Sequence, residues 1–314
     1  MKQVIVVGSG HWGKNLVRNF YELESLAGVV EISPDLQARF RKQYPNVTLF
    51  TDYAKALAVE GTAIVLATPA PTHYILALQA LQAGKDVFVE KPMTLHADEA
   101  RKLAEYAEAH NRILMVGHLL LYQPAISWMR NYLNAGKAGK VKHIATHRLN
   151  LGKVRKQENA WWSLAPHDVS IVIDLLGSPD LENVKASSYS RLQPGIADEV
   201  HADLSFTSGQ TAHLHCSWQW PIKQRGTVVI AEKQMLVYDE IQQSVTIHDK
   251  RIDDQLTICD EGSTVIAIAD EQPLRLECEH FLSCLKSRQS PHSNGRNGVA
   301  VVNILEKVQE ALND

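Results

Sequence analysis

A glycine-rich turn between a strand and a helix, close to the start of the chain, constrains the fold most strongly. The run Val4–Val7 is apolar and β-branched, and Gly8, Gly10 and Gly13 follow it with the spacing G-x-G-x-x-G. In this context the first glycine makes a tight turn, the second lets the backbone approach a pyrophosphate, and the third lets the helix pack on the strand. The stretch therefore predicts the first βαβ unit of a dinucleotide-binding sheet.

The pattern that follows predicts two domains. Short apolar runs alternate with helical segments as far as Gly117, which predicts a doubly wound parallel sheet, the Rossmann fold, over residues 1–120. Hairpin-like strands dominate the rest, and they predict an α+β domain with an open, mostly antiparallel sheet over residues 121–314. Two helical segments at the C-terminus are expected to pack back on the first domain.

Composition limits the classes of partner. The 314 residues are 45% hydrophobic and 21% charged, with a formal net charge of -3. This balance is typical of a globular protein and argues against binding to nucleic acid or to an anionic membrane. No apolar run reaches the roughly 20 residues that span a bilayer, and no signal peptide is recognisable. The four cysteines are scattered, so we expect reduced thiols in a cytoplasmic protein.

Glu31 ends the second predicted strand, at about the offset where an acid binds the ribose hydroxyls of a dinucleotide. An acid there favours NAD and disfavours a 2′-phosphate. Ser33 is a side chain that can lie near such a phosphate, so NADP remains open. The alternative for Glu31 is a solvated carboxylate at a strand end.

Other candidates for cofactor binding follow strands at the same edge of the sheet. They are His11, Trp12, Thr68, Pro69, His73 and Glu90, together with Lys91. A lone histidine near a helix start is often structural, and this alternative stays open for His73. His118 also follows a strand and is placed near the same edge.

The stretch VFVEKP, residues 87–92, carries the predicted chemistry. Its apolar half reads as a buried parallel strand, and ligands bind beyond the carboxyl ends of such strands. Pro92 disfavours a helical conformation at Lys91, which therefore remains at the strand exit. A lysine that loses solvation there can serve as a proton donor or acceptor. The alternative is a surface lysine in a turn.

The second domain contributes histidines. An apolar pattern predicts a buried helix from His167 onward, with His167 in its first turn after Pro166. His213 and His215 share one face of a predicted strand, but the sequence places no third ligand beside them. We therefore expect no metal site, and we expect this sheet face to pack on a second copy in a homodimer or homotetramer.

Taken together, GSGHWG, EKP and a histidine early in an interior helix resemble the Gfo/Idh/MocA family of NAD(P)-dependent sugar and polyol dehydrogenases. The resemblance covers the whole chain, and EKP is its most specific part. It implies that Lys91 contacts the reacting hydroxyl and that His167 is the acid/base histidine. The family often has an aspartate four residues before that histidine, where this chain has Ser163. An impaired or altered enzyme is therefore an open alternative.

Within the family, the stretches RLNLGKVRKQENAWW and APHD look most like the branch of surface-polysaccharide biosynthesis, whose members oxidise nucleotide-linked sugars. A basic cluster is consistent with an anionic substrate. Its members are Arg148, Lys153, Arg155 and Lys156, and the alternative is a solvated basic loop. Asn159, Trp162 and Ser163 are further candidates for the substrate pocket, although Asn159 and Trp162 could simply pack.

The resemblance implies an oxidoreductase that moves a hydride between a sugar carbinol carbon and nicotinamide, with Lys91 and His167 serving one sugar. Two alternatives remain open. One is a regulator that senses a dinucleotide or sugar after losing the chemistry, which Ser163 favours. The other is a reductase of a non-sugar carbonyl or imine, which would share the first domain and differ in its pocket.

Overall fold

The computed structural model describes residues 3–313. The chain forms two compact units. The first contains the residues up to Leu119 together with Gln272–Val302, and the second contains Leu120–Glu271 and the residues from Asn303 onward. Within the described residues, no helix is both long enough and apolar enough to cross a membrane.

The first unit is built on a six-stranded parallel sheet. Its strands are β1 Val4–Val7, β2 Leu26–Val30, β3 Thr48–Phe50, β4 Ala63–Leu66, β5 Val87–Glu90 and β6 Leu114–Gly117. Its connecting helices are α1 Gly13–Glu22, α2 Pro34–Gln43, α3 Tyr53–Leu57, α4 His73–Gln82 and α5 Ala97–Ala109. The spatial order β3-β2-β1-β4-β5-β6 is the dinucleotide-binding order, which confirms the Rossmann prediction.

The central strands of this sheet are fully buried, as is typical of a parallel sheet. Every residue of β1, β4, β5 and β6 is buried, because helices cover both faces of the sheet. Parallel pairing places the carboxyl ends of β1, β4 and β5 at one edge. The loops after these strands therefore share the edge at which a cofactor would bind.

The second unit is an eight-stranded sheet with helices. The helices are α6 Pro124–Asn134 and α7 Ala160–Leu176. The strands are β7 Val141–Leu151, β8 Leu181–Tyr189, β9 Glu199–Phe206, β10 Thr211–Ser217, β11 Gln219–Ala231, β12 Met235–Asp239, β13 Ser244–Ile252 and β14 Ile258–Ile266. All neighbours are antiparallel except β7 and β10, which confirms the mostly antiparallel sheet.

The last two helices are α8 Pro273–Ser287 and α9 Gly295–Asn313. Helix α8 belongs to the first unit, where the Phe281 ring packs edge-on against Phe20 at 6.5 Å and Phe88 at 5.6 Å between ring centroids. These aromatic contacts pack α8 against α1 and β5. The boundary between the two units falls within α9.

Helix α7 begins earlier than the sequence predicted. It starts at Ala160, so His167 lies well inside the helix and not in its first turn. Asn159 caps the start, because its side-chain oxygen accepts a hydrogen bond from the backbone N–H of Trp162 at 3.1 Å. Pro166 lies within the helix, where the prediction had used it as a helix start.

Candidate functional site

The glycine turn has the geometry of a dinucleotide site. Gly8 has a φ of +91°, and a Cβ there would lie 2.9 Å from the carbonyl oxygen of Ala67. A Cβ at Gly13 would lie 2.1 Å from the oxygen of Gly8, so the start of α1 packs directly on the turn. A Cβ at Gly10, by contrast, would meet no atom within 4 Å. The chain's own packing explains the first and third glycines, and the space at Gly10 suits a pyrophosphate approaching the backbone.

Glu31 is a buried carboxylate held by hydrogen bonds at the end of β2. The backbone N–H and the hydroxyl of Ser9 donate to Oε2 at 2.8 and 2.7 Å, and the N–H groups of Ile32 and Ser33 donate to Oε1 at 2.9 and 3.0 Å. Burial acts to raise the pKa of Glu31, but the hydrogen bonds from Ser33, Ser9 and Ile32 outweigh it and lower the pKa below its usual value. The group is thus a fixed anion at the end of β2, and a negatively charged group brought next to it would be repelled.

His73 has the surroundings of a structural residue, the alternative that the sequence left open for it. Its ring is 1% exposed, and the two ring nitrogens lie 2.8 Å from the carbonyl oxygens of Pro92 and Thr68. With both nitrogens engaged inside the protein, none is left for a cofactor. The histidine instead ties the loop after β4 to the loop after β5.

The remaining loop candidates lie on the same edge. Thr68 bonds to the hydroxyl of Thr72 at 2.7 Å, and Pro69 is exposed beside it. His11 and Trp12 are both exposed in the glycine turn.

Glu90 is the last residue of β5, and Lys91 follows the strand directly, as predicted. Glu90 is buried, and the indole N–H of Trp12 donates to its Oε1 atom. Burial raises the pKa of Glu90 to about 7, although Trp12 and the charge of Lys91 act in the opposite direction. Lys91 is half-buried, and its peptide bond to Pro92 is cis. An ammonium group therefore lies at the edge that holds the glycine turn and Glu31, next to a carboxyl group that titrates near neutral pH.

His118 is a second buried group near Lys91. Its ring is 1% exposed, and neither nitrogen has a hydrogen-bond partner among residues 3–313. Burial lowers the pKa of His118 to about 3, and the positive charge of Lys91 adds to this effect. The imidazole is therefore neutral at physiological pH. Its position after β6 was the sequence signal that placed it at this edge.

Glu277 was missed by the sequence analysis. It lies on α8, is fully buried, and neither carboxyl oxygen has a hydrogen-bond partner within the described chain. Burial raises the pKa of Glu277 well above its ordinary value, and the nearby charge of Glu90 raises it further. No local pattern could have revealed this pair, because the two carboxyl groups are far apart in sequence.

In the second unit, His167 and Ser163 lie four residues apart on α7 and therefore share a helix face. Both are half-buried, as is Trp162. Asp168, the acid adjacent to His167, is buried and bonded elsewhere. The helix thus carries the neutral Ser163 at the position where the family often has an aspartate.

Arg148 is a buried cation that is paired inside the protein, unlike the other members of the predicted basic cluster. Its guanidinium donates to both carboxylate oxygens of Asp168 at 2.7 and 3.0 Å and to Glu240 at 2.8 Å. The side chain is only 4% exposed. Its charge is fully used in linking β7 to α7 and to the turn after β12, so a substrate could not reach it without breaking this network.

The side chain of Asn159 is also bonded inside the protein, which favours the alternative that it simply packs. Its oxygen caps α7, and its amide nitrogen donates to Gln309 at 2.7 Å. Arg155, by contrast, is exposed in the loop after β7, where it pairs with Glu158 at 3.4 Å. Lys153 and Lys156 are exposed in the same loop, so three of the four predicted cations remain accessible.

Two family models match the chain. Residues 2–118 match a model described as an oxidoreductase family with an NAD-binding Rossmann fold, Gfo/Idh/MocA. Residues 126–237 match the Gfo/Idh/MocA C-terminal domain. The two models therefore match regions in both units of the chain.

Similar proteins support the same assignment. The UDP-N-acetylglucosamine 3-dehydrogenase of Acidithiobacillus ferrooxidans is 25% identical over 313 residues, covering 98% of this chain and 96% of its own. Its solved structure superimposes with a TM-score of 0.87 over 99% of this chain and 97% of its own. The NAD-dependent scyllo-inositol 2-dehydrogenase of Bacillus subtilis is 25% identical over 73% of this chain and 69% of its own.

A levoglucosan dehydrogenase solved with NADH and levoglucosan shares the fold, with a TM-score of 0.87 at 16% identity over 99% of this chain and 97% of its own. The glycine turn, the carboxylate at the end of β2 and the lysine after β5 fit the NAD-binding family that the first model describes. The chain belongs to the Gfo/Idh/MocA family of NAD(P)-dependent dehydrogenases.

Proposed function

We propose that this protein transfers a hydride between a carbinol carbon of a nucleotide-linked sugar and NAD. The observation that carries the proposal is the position of Lys91, which follows a fully buried strand at the same sheet edge as the glycine turn and Glu31. Similarity over nearly the full chain to a UDP-N-acetylglucosamine 3-dehydrogenase supports the substrate class. Such a reaction would supply an oxidised nucleotide sugar for surface-polysaccharide biosynthesis.

The chain's own residues would hold the cofactor at this edge. We propose that the backbone at Gly8, Gly10 and Gly13 binds the pyrophosphate and that the Glu31 carboxylate accepts hydrogen bonds from the ribose hydroxyls. Loop residues near the turn would complete the site, namely His11, Trp12, Thr68, Pro69 and Glu90. Bound NAD would accept or return the hydride, and the protein supplies orientation and proton handling.

Lys91 would contact the sugar hydroxyl and stabilise negative charge on its oxygen as the C–H bond breaks. Its ammonium is half-buried beside the neutral ring of His118, where water screens charge less than in bulk. His167 would accept the hydroxyl proton, and Ser163 and Trp162 would contact the sugar. Arg155 would attract the anionic diphosphate, since it lies exposed in the basic loop after β7.

The direct test mixes the purified protein with NAD and a panel of UDP-linked sugars and follows NADH absorbance. Lys91→Ala is expected to lose about 10²- to 10⁴-fold in turnover, because acid/base and oxyanion assistance contribute on that scale. Its NAD affinity should be unchanged. Lys102→Ala, at an exposed position of α5, is the matched control and should retain full activity. An unchanged turnover in Lys91→Ala removes the assignment.

A sensing regulator is the second candidate, and Ser163 in place of the family's aspartate favours it. This candidate predicts tight binding of NAD and a nucleotide sugar with no NADH formed. Ser163→Asp would separate the two functions, because restoring the family's acid should raise turnover of an enzyme and create none in a regulator.

We also propose that the protein self-associates through the open face of the eight-stranded sheet, as a homodimer or homotetramer. Apolar side chains on this face stay half-exposed although the face opposite is buried. They are Ala145, Val228, Ile230, Met235 and Val237. A second copy would present the same surface in a two-fold arrangement.

All four cysteines are free thiols, which supports a reducing compartment such as the cytoplasm.

A further inference from the structure

Strands β9 and β10 bring an acid and two histidines together on the open face of the second unit. Their antiparallel register places His201 opposite His215 and Glu199 opposite Ser217. Because alternate residues of a strand share a face, Glu199 and His201 point to the same side as His215. The sequence left His215 without further ligands because it does not reveal this register.

The three side chains converge on one point. The Oε1 atom of Glu199 lies 2.9 Å from Nε2 of His215 and 3.3 Å from Nε2 of His201. All three ligand atoms lie within 4.8 Å of one another, and in the part of the chain that the structure describes no other group of three such residues meets this condition. The two imidazole rings stack with centroids 4.0 Å apart.

Two imidazoles and one carboxylate form a ligand set that zinc and similar divalent transition metals bind. Ligands at about 2.0–2.1 Å from a tetrahedral zinc lie roughly 3.3 Å from one another. The His201–Glu199 separation of 3.3 Å equals this spacing, and the His215–Glu199 separation of 2.9 Å, now a hydrogen bond, would widen by a few tenths of an ångström. Three protein ligands leave the fourth position to water or another small ligand.

The three side chains are sheltered on the sheet face. Glu199 is 9% exposed, His215 16% and His201 31%. The carboxylate oxygen accepts hydrogen bonds from both Nε2 atoms, and a metal ion would replace the two protons that these nitrogens donate.

Two further contacts hold the ligands in place. Arg191 donates to the other carboxylate oxygen of Glu199 at 2.7 Å, which leaves Oε1 facing the imidazoles. The Trp220 ring packs edge-on against His215 at 5.5 Å between centroids. Both contacts restrict the orientations that the Glu199 and His215 side chains can adopt.

We propose that Glu199, His201 and His215 bind a divalent transition metal ion, zinc by preference, and that the ion clamps β9 to β10. The site is separate from the residues assigned to hydride transfer. Its test therefore does not depend on enzyme activity.

The experiment uses the full chain, stripped with a chelator and dialysed, and titrates zinc by calorimetry. We expect one zinc ion per chain and a rise in the thermal unfolding midpoint, because an ion that binds only the folded state stabilises it. Cobalt should give the visible absorption of a four-coordinate site. His215→Ala and His201→Ala should each weaken zinc binding by about 100-fold or more.

His213→Ala is the matched control. His213 lies two residues before His215 on the same face, but its ring bonds to Asp203 at 2.8 Å and is not one of the three ligands. It should bind zinc with nearly wild-type affinity. Failure of the stripped wild-type chain to bind zinc, or an equal loss in the control and in both ligand variants, would overturn the proposal.

Discussion

At the scale of single residues, the site is defined by groups whose surroundings fix their charge. Glu31 is an anion held by four donors, and His118 is an imidazole that burial keeps neutral beside Lys91. The contacts that set these charges all lie within the first unit. The preference for NAD or NADP can therefore be tested by replacing single side chains.

Replacing Glu31 by alanine should weaken NAD binding by about 10- to 100-fold, since hydrogen bonds to a charged group are worth about 1.5–3 kcal/mol. Calorimetric titration with NAD and with NADP measures the change. NADP affinity should fall less or rise, because the repulsion of the 2′-phosphate is removed. Ser33→Ala keeps the carboxylate and serves as the control; NAD affinity equal in wild type and Glu31→Ala would contradict the ribose role.

Glu277 should make stability fall with pH. Its native pKa is raised above the ordinary value of 4.5, so the folded state keeps a proton that the unfolded state releases. Stability from this group is complete below that value and is lost as pH rises towards the native pKa, at about 1.4 kcal/mol per pH unit. Glu277→Gln removes the titration.

Urea unfolding of the wild type and Glu277→Gln between pH 5 and pH 7 tests this sign. The variant should gain stability relative to wild type by roughly the same 1.4 kcal/mol per pH unit. Glu279→Gln, two residues along α8 and half-exposed, should show no comparable change. A constant difference between Glu277→Gln and wild type over this range would mean that Glu277 is already ionised in the folded protein.

At the scale of elements, Arg148 links three parts of the second unit. It projects from β7 to Asp168 on α7 and to Glu240 after β12, and all three side chains are at most 10% exposed. Removing one partner from such a network leaves the other charges buried without compensation. The position of α7, and with it that of His167, depends on this ion pair.

Arg148→Ala should therefore lower the free energy of unfolding by about 3–5 kcal/mol. Arg155→Ala is the control, because a substitution at an exposed position normally changes stability by less than about 0.5 kcal/mol. Urea denaturation measures both variants. If Arg148→Ala were as stable as wild type yet bound nucleotide sugars poorly, the substrate role predicted from the sequence would be the correct one.

At the scale of the whole molecule, the open sheet face predicts self-association. Val237→Arg places a charge in the middle of this face and should shift the protein to monomer, because a buried unpaired charge opposes association. Sedimentation velocity or light scattering measures the change. Ile75→Arg, at an exposed position of α4, is the control and should leave the mass unchanged. A wild-type protein that is monomeric at high concentration would contradict the proposal.

The sequence by itself determined the features that depend on local pattern. Periodicity and turn chemistry within a few residues predict three of them. These are the strand–turn–helix at Gly8, the order of strands and helices as far as Gly117, and the position of Lys91 directly after a buried strand. Tertiary structure alone decided what each polar side chain faces. It placed His73, Arg148 and Asn159 in hydrogen bonds inside the protein, and it brought the Glu277 carboxyl close enough to Glu90 to feel its charge.

The same holds for the cluster on the second sheet, where the register of β9 against β10 brought Glu199 and His201 to His215. The physical reason is that the free energy of a buried charge or imidazole depends on partners distant in sequence. Only the folded chain brings those partners together.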